Sequence, residues 1–354
     1  MAIGGTASTA AFDLTAAEMA LIGNGFTSLR FGSSAGSGVL TVAARLAFTA
    51  PVSFVSPSGS LVLSSSLTTA GQALSIDAAL RISGTASIDT TSGGAYSGGR
   101  LSVGSIQGAV AGPSHLTLDT GSASLTLGAV GNLTPLDSLT LASDGLTTVG
   151  QDIAVRDLLR FEGPVAFGAS AVRLTANTIE AGAAASFVGA STELTLASAS
   201  GLPVLVGAST DSGAGAFDVT SGLLAKLADL GSVKILGGSA AITVAQPVTV
   251  GVPLVLATTG LTDISAAVGL TGDGALTVTG DLRLSGSVTG TGAGAIRVLG
   301  DLDVVANASL VTAGVIQVGS AGTSVSGAGV LTLGGTDVDF LGSTGCAHAG
   351  RADC

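Results

Sequence analysis

The stretch Gly274-Ala275-Leu276-Thr277-Val278-Thr279-Gly280-Asp281 decides how the chain is read. Leu276, Thr277 and Val278 alternate apolar and polar with a β-branched bias, the pattern of a strand with one buried face. Gly280 and Asp281 follow at once, and both residue types turn a chain sharply. The same grammar recurs from end to end, in Gly38-Val39-Leu40-Thr41-Val42, Leu61-Val62-Leu63, Leu74-Ser75-Ile76, Leu116-Thr117-Leu118, Leu125-Thr126-Leu127, Leu139-Thr140-Leu141, Leu194-Thr195-Leu196, Ile242-Thr243-Val244 and Gly329-Val330-Leu331-Thr332-Leu333. Each unit spans about three to five residues before the next Gly, Ser, Asp or Asn.

Such short strands fit a sandwich, a barrel or a coil. A sandwich of this length asks for longer strands and for aromatics to fill a core about 10 Å thick. Here aromatics are 3% of the residues and Trp is absent. Leu, Val, Ile and Ala suit the narrow interior of a parallel β-solenoid, whose coils stack at about 4.8 Å. The expected fold is all-β: a single-stranded parallel β-helix with short inserted helices. At roughly 20 residues per coil, about 17 coils make a rod of ~80 Å.

Composition agrees. The 354 residues include 55 glycines, only 10% are charged, and mean hydropathy is +0.69. An apolar fraction of 46% is too high for disorder. The glycines keep no three-residue period, which removes collagen. No apolar run is long enough for a transmembrane helix. Net charge is −11 and the pI is near 4.3. With no basic patch, nucleic acid is not an expected partner. Charge is thin because like charges on neighbouring strands repel.

A longer repeat is superimposed. Phe12-Asp13-Leu14-Thr15 opens a segment ending Leu29-Arg30-Phe31-Gly32, and Phe217-Asp218-Val219-Thr220 opens one ending Val233-Lys234-Ile235-Leu236-Gly237. Phe12 and Phe217 lie 205 positions apart, an offset that pairs Phe31 with Leu236. Both segments hold an apolar stretch without strand alternation, 16–22 and 223–230. A short helix is expected in each, the first with a Thr15–Glu18 capping box, the second stopped by Gly231. The chain then divides into a lead-in (1–11), a first β-helix module (12–216), a second module continuing the stack (217–342) and a tail (343–354) that leaves the repeat grammar and belongs to no coil.

These F-D-[LV]-T units, their short helices and the G-x-L-T-[VL] strands resemble the filamentous-haemagglutinin-like and autotransporter-like exported β-helix adhesins of Gram-negative bacteria. The resemblance covers most of residues 12–345. It implies a right-handed parallel β-helix, export to the cell surface or medium, and adhesive or scaffolding work. The opening residues MAIGGTASTAAFDL lack the charged and apolar regions of a signal peptide. The family's secretion domain and C-terminal barrel are not seen either, so the resemblance implies an internal piece of a longer chain.

Residues capable of chemistry are few. His115 stands beside Pro113 and Ser114 with Asp119 nearby, yet no G-x-S-x-G elbow accompanies it, and it reads as an exposed turn histidine. Cys346, His348 and Cys354 share a terminal segment whose spacing matches no metal site, and the two cysteines can close a small terminal disulfide loop. Asp273 and Asp281 lack the successive Gly-Asp pairs of a calcium-binding repeat and are expected to cap their own turns. Asp152, Asp157 and Glu162 are interleaved with Arg156 and Arg160, which reads as a solvated face with cross-strand ion pairs.

Glycan cleavage needs paired carboxylates and usually aromatic platforms, but Tyr96 is the only tyrosine. No catalytic, cofactor-binding or metal residue is assigned. The expected function is a non-catalytic stalk or scaffold segment that presents loops to a host or neighbouring-cell ligand. The glycine-rich 91–100, with Gly93, Tyr96 and Arg100, and 113–122, with Pro113 and His115, are the candidate loops. Two alternatives remain: a fibre subunit that associates end to end through unpaired strand edges, and a carbohydrate-active enzyme.

Overall fold

A computed structural model describes residues 1–4, 13–22, 25–209, 215–272, 274–341 and 343–344. The chain is an all-β, single-stranded parallel β-helix, and its described residues include two short helices, α1 (Ala16–Leu21) and α2 (Ser221–Lys226). It forms two compact units, Met1–Val188 and Gly189–Cys354.

From Ile242 onward each coil of the second unit has three strands. One coil runs Leu261–Ile264, Val268–Leu270, Leu276–Val278, and the next runs Asp281–Leu284, Ser287–Gly290, Ile296–Val298. Each strand pairs in parallel with its counterpart one coil on. Leu276, Ile296 and Ile316 fall in register (296 − 276 = 20 and 316 − 296 = 20), and all three are buried. Thr277, Arg297 and Gln317 form the neighbouring outward ladder. A strand's period of two thus repeats coil after coil, apolar residues inward and polar residues outward.

Coils of the first unit are less even. Leu29, Val52, Leu74, Leu101 and Leu125 form one inward ladder. The step from Leu74 to Leu101 is long (101 − 74 = 27) because the 91–100 loop leaves the coil. The interior here holds rings as well as aliphatics. Phe31 stacks on Phe54 at 5.3 Å between centroids, and Phe187 meets Phe161 edge-on at 5.2 Å. Such aromatic pairs add about 0.5–1.5 kcal/mol beyond their buried area.

Glycine at the corners has a steric cause. A Cβ on Gly280 would lie 2.2 Å from the Thr258 carbonyl oxygen, and one on Gly300 would lie 2.5 Å from that of Gly280. Coils approach too closely there for any side chain. The aspartate after each glycine ties the corner to the next coil: Asp301 N donates to Asp281 Oδ1 (3.0 Å), and Ser324 N donates to Asp301 Oδ1 (2.6 Å). Asp281 therefore caps the coil that follows, not its own turn, because that backbone N–H sits one coil spacing away. Asp273 lies outside the described residues.

The long repeat is a repeat of structure. In the first unit Ala2–Ile3 is flanked in parallel by Asp13–Leu14 and Val39–Val42. In the second, Val204–Val206 is flanked in parallel by Phe217–Val219 and Ile242–Val244. A left-handed glycine follows the central strand both times, Gly4 (φ +80°) and Gly207 (φ +90°), donating to Leu14 O (2.7 Å) and Val219 O (2.9 Å). Helix α1 has the expected capping box: Glu18 N donates to Thr15 Oγ1 (3.2 Å) and Thr15 N to Glu18 Oε2 (2.8 Å). Those Thr15 hydrogen bonds hold the Glu18 carboxyl below its ordinary range. Thr220 caps α2 in the same way, accepting from Leu223 N (3.1 Å).

Three expectations need correction. Helix α2 ends at Lys226, and Gly231 does not stop it. Gly231 lies in the Asp229–Gly238 strand, where a Cβ would come within 2.9 Å of Ala190 O. Phe31 corresponds to Ile235, not Leu236. Leu29 N donates to Pro51 O and Val233 N to Pro253 O, both at 2.8 Å, which equates Leu29 with Val233. The second copy is one residue shorter between helix and strand, and a one-residue slip exchanges faces. Ile235 is accordingly buried and Leu236 half-buried. Finally, Ser343–Thr344 pairs in parallel with Ser324–Gly327, so the stack reaches two residues into the segment read as tail.

Two substitutions test this packing. Gly280→Ala is expected to lower unfolding stability by about 2 kcal/mol, whereas Gly251→Ala, whose Cβ meets only Thr271 Oγ1 at 3.6 Å, changes it by less than about 0.5 kcal/mol. Denaturant titration of both variants reads the difference. Thr262 is buried in the apolar ladder between Ile242 and Leu282, and its Oγ1 has no hydrogen-bond partner. Thr262→Val keeps the shape, removes the unsatisfied hydroxyl and is expected to raise stability by about 1 kcal/mol. A lower melting temperature for that variant would contradict this account of the site.

Candidate functional site

The first unit carries a groove of about 340 Å³ where the 91–100 loop rejoins the coils. Its floor is the start of the Leu29, Val52 and Leu74 ladder, and its walls are Ser53, Ser75, Ser102 and Arg100. The backbone at this corner is fully used between coils: Val52 N donates to Ala73 O (3.0 Å) and Leu74 N to Arg100 O (2.9 Å). Ser53, Ser75 and Ser102 are register partners, and the ladder continues into Thr126 and Thr148. Small side chains at successive rungs leave the depression open; its surface is mostly apolar, with the serine hydroxyls as the minor polar part. Arg100 is exposed at its rim and brings the one charge among the lining residues, none of which is a carboxylate.

The loop beside it is ordered by a single carboxylate. Asp89 accepts from Thr91 N, Thr91 Oγ1 and Gly93 N, each at 2.6 Å. Thr90 Oγ1 closes the loop's base, donating to Gly99 O (2.8 Å) and accepting from Gly99 N (2.9 Å). Burial pushes the Asp89 carboxyl upward, but the hydrogen bonds from Thr91, Gly93 and Ser92 outweigh it and hold the group below its ordinary range. Tyr96 is half-exposed and packs against Gly71, where an added Cβ would lie 3.2 Å from the Tyr96 Cβ. The turn it covers leads into Ala73 in the groove wall. Gly93, Tyr96 and Arg100 thus belong to one hydrogen-bonded loop at the groove.

Pro113 and His115 do not join them. The segment expected as a second loop is largely strand, Ser114–Asp119. Asp119 pairs with Asp89 beside the first loop, while Ser114 pairs with Gly84, five residues and about 16 Å away along the strand. His115 is half-buried on the outward face, not in an exposed turn, and its Nδ1 lies 2.8 Å from Ser138 Oγ. Asp119 instead accepts from Gly121 N (2.7 Å). Ser114 pairs with Asp137 (3.3 Å), which also accepts from Arg156 (2.9 Å). Burial raises the Asp137 carboxyl, and the Arg156 and Ser114 contacts overcome this and lower it. Serine, histidine and carboxylate therefore form separate pairs, not a relay.

Two acids of the cluster are likewise engaged, Glu162 and Asp152. Arg160 contacts Glu162, and it faces its register partner Glu180 at 3.5 Å. Asp152 accepts from Arg173 N at 2.8 Å. Cross-strand ion pairs occur as the sequence pattern indicated. Among the described residues no three His, Cys, Asp or Glu side chains gather as metal ligands would. Cys346, His348 and Cys354 lie outside the described residues. The Ser-rich wall had no local signature, since the partners of each rung are a whole coil away, whereas the Asp89 contacts are local and the run Asp89-Thr90-Thr91-Ser92-Gly93 is the turn signal that could have found them.

Asp89 makes a pH prediction. Its carboxyl is lower in the folded chain, so its contribution is present above the unfolded value, about 3.9, and is lost as pH falls through the folded value. Protection of the Thr91 and Gly93 amides, measured against the intrinsic exchange rate at each pH, should be lost only in acid below about pH 4. Asp89→Asn should open the loop at neutral pH, at a local cost of about 1–2 kcal/mol. Unchanged exchange at Gly93 in that variant would rule the staple out.

No protein-family model matches the chain, and neither a curated protein nor a solved structure matches it.

Proposed function

We propose that the chain is a non-catalytic stalk or scaffold segment of an exported bacterial surface protein, and that the Arg100 groove contacts a hydroxyl-rich, anionic polymer on a host or neighbouring-cell surface. One observation carries the reading: Asp89, Asp137, Asp152, Asp281 and Asp301 are hydrogen-bonded within the scaffold, each to a turn or a neighbouring coil. Glycoside hydrolysis needs two carboxylates free to converge on a substrate, and the groove is walled by serines and Arg100 instead. The mostly apolar groove floor suits the carbon face of an extended sugar chain, the serine hydroxyls offer it a few donors and acceptors, and the guanidinium adds a charge-assisted contact to a carboxylate or sulfate group. The placement at a cell surface rests on the family resemblance of the F-D-[LV]-T units. No described helix is long and apolar enough to cross a membrane.

Immobilised sulfated and uronic-acid polysaccharides provide the test. The chain is expected to bind without shortening them, and Arg100→Ser to weaken binding about tenfold with unchanged circular dichroism. Release of reducing ends from any of these polymers would replace this reading with the enzymatic one. Equal binding by the Arg100 variant would move the contact away from the groove.

A further inference from the structure

The Arg100 groove runs toward a second arginine. Leu29, Val52, Leu74 and Leu101 are register partners on successive rungs of the first unit. Two columns of residues flank that ladder on the outward face. The residues that follow it are Arg30, Ser53, Ser75 and Ser102, themselves register partners. The residues that precede it are Ser28, Pro51, Ala73 and Arg100. Their carbonyls bind the rung before: Leu29 N donates to Pro51 O (2.8 Å), Val52 N to Ala73 O (3.0 Å) and Leu74 N to Arg100 O (2.9 Å). All of these flanking residues except Arg30 line the groove, and Arg30 closes the second column at its far end.

Arg30 and Arg100 thus occupy opposite corners of one block. Three rung spacings of about 4.8 Å and a shift of two residues at about 3.3 Å each put their backbone positions about 16 Å apart. Only serine, proline and alanine stand between them, so no long or charged side chain interrupts the path. Both arginines are exposed, and neither has an ion-pair partner among the described residues. Arg156 and Arg160, by contrast, are held by Asp137, Glu162 and Glu180. Arg30 alternates with the buried Phe31, so its side chain is on the outward face whatever stands beyond the strand's edge. One carboxylate is near. Asp77 is exposed and lies two residues past Ser75, on the same face and on the side away from Arg100. It repels an anion there and favours the line between the arginines.

We propose that Arg30 is a second cationic subsite of this groove, which takes an anionic polysaccharide lying across the strands, along the stacking direction, with one acidic group at each guanidinium. The inference rests on the glycan reading of the groove and adds to it a direction and a minimum length. A disaccharide reaches one arginine at most. A longer chain that crosses the block meets both, and the second contact forms at the high effective concentration set by the first. The small side chains of Pro51, Ala73, Ser53 and Ser75 let the sugar rings lie close to the apolar floor, while charge-assisted hydrogen bonds hold the two ends.

Calorimetric titration with uronic-acid oligosaccharides, and with sulfated ones of the same lengths, tests it. The series that binds names the acidic group. The unmodified chain is expected to bind the hexasaccharide about tenfold more tightly than the disaccharide. Arg30→Ser should weaken the hexasaccharide about tenfold and so remove that advantage. Arg30 lies outside the core, and matching circular dichroism confirms that the variant folds. A hexasaccharide bound equally by Arg30→Ser and the unmodified chain, or equal binding of the two lengths by the unmodified chain, overturns the proposal. If Arg100→Ser still weakens binding in that case, the groove reading stands without it. Equal binding by the Arg100 variant, or no binding of either series, overturns both.

Discussion

Everything in this protein follows from one constraint: the parallel hydrogen-bonded spacing between coils, about 4.8 Å. At that distance each residue lies directly above its equivalent one coil earlier. A side chain is therefore acceptable only if it tolerates a near copy of itself as neighbour. Leu276, Ile296 and Ile316 do so as a dry ladder. Ser53, Ser75 and Ser102 do so as a row of hydroxyls. Corners such as Gly280 and Gly300 meet the constraint only by having no side chain.

The same spacing governs the charged residues. Where two carboxylates fall one coil apart, as Asp281 and Asp301 do, each is held by a backbone donor of the next coil. Asp281 takes Asp301 N, Asp301 takes Ser324 N, and Asp152 takes Arg173 N. Each bond ties two coils together and removes one carboxylate from other chemistry. The stack is interrupted at the 91–100 loop and at the groove it borders.

Much of this was legible in short windows. Period-two alternation announced the strands, and Thr15 with Glu18 announced α1 through a box four residues long. Features that depend on a residue 20 or more positions away were not legible. Asp281 looked like the cap of its own turn because its true donor, Asp301 N, is remote in sequence. His115 looked like a turn residue because Pro113 precedes it, whereas pairing with Thr85 and Ser138 draws it into a strand. The offset of 205 between the repeats was correct at the helix caps and wrong by one at Phe31, since a linker deletion leaves no mark in composition.

The amino-acid sequence by itself determined the class of fold: alternating short strands, small corners and thin charge admit a stacked coil and little else. Residue periodicity is a local property, so it survives without knowledge of contacts. Only the tertiary structure decided which residues share a rung. That placed Arg100 beside Ser53, Ser75 and Ser102 and kept His115 away from Asp119. Coil lengths vary from place to place, and register accumulates those differences. It is therefore set by the packing of whole coils and not by any single stretch of chain.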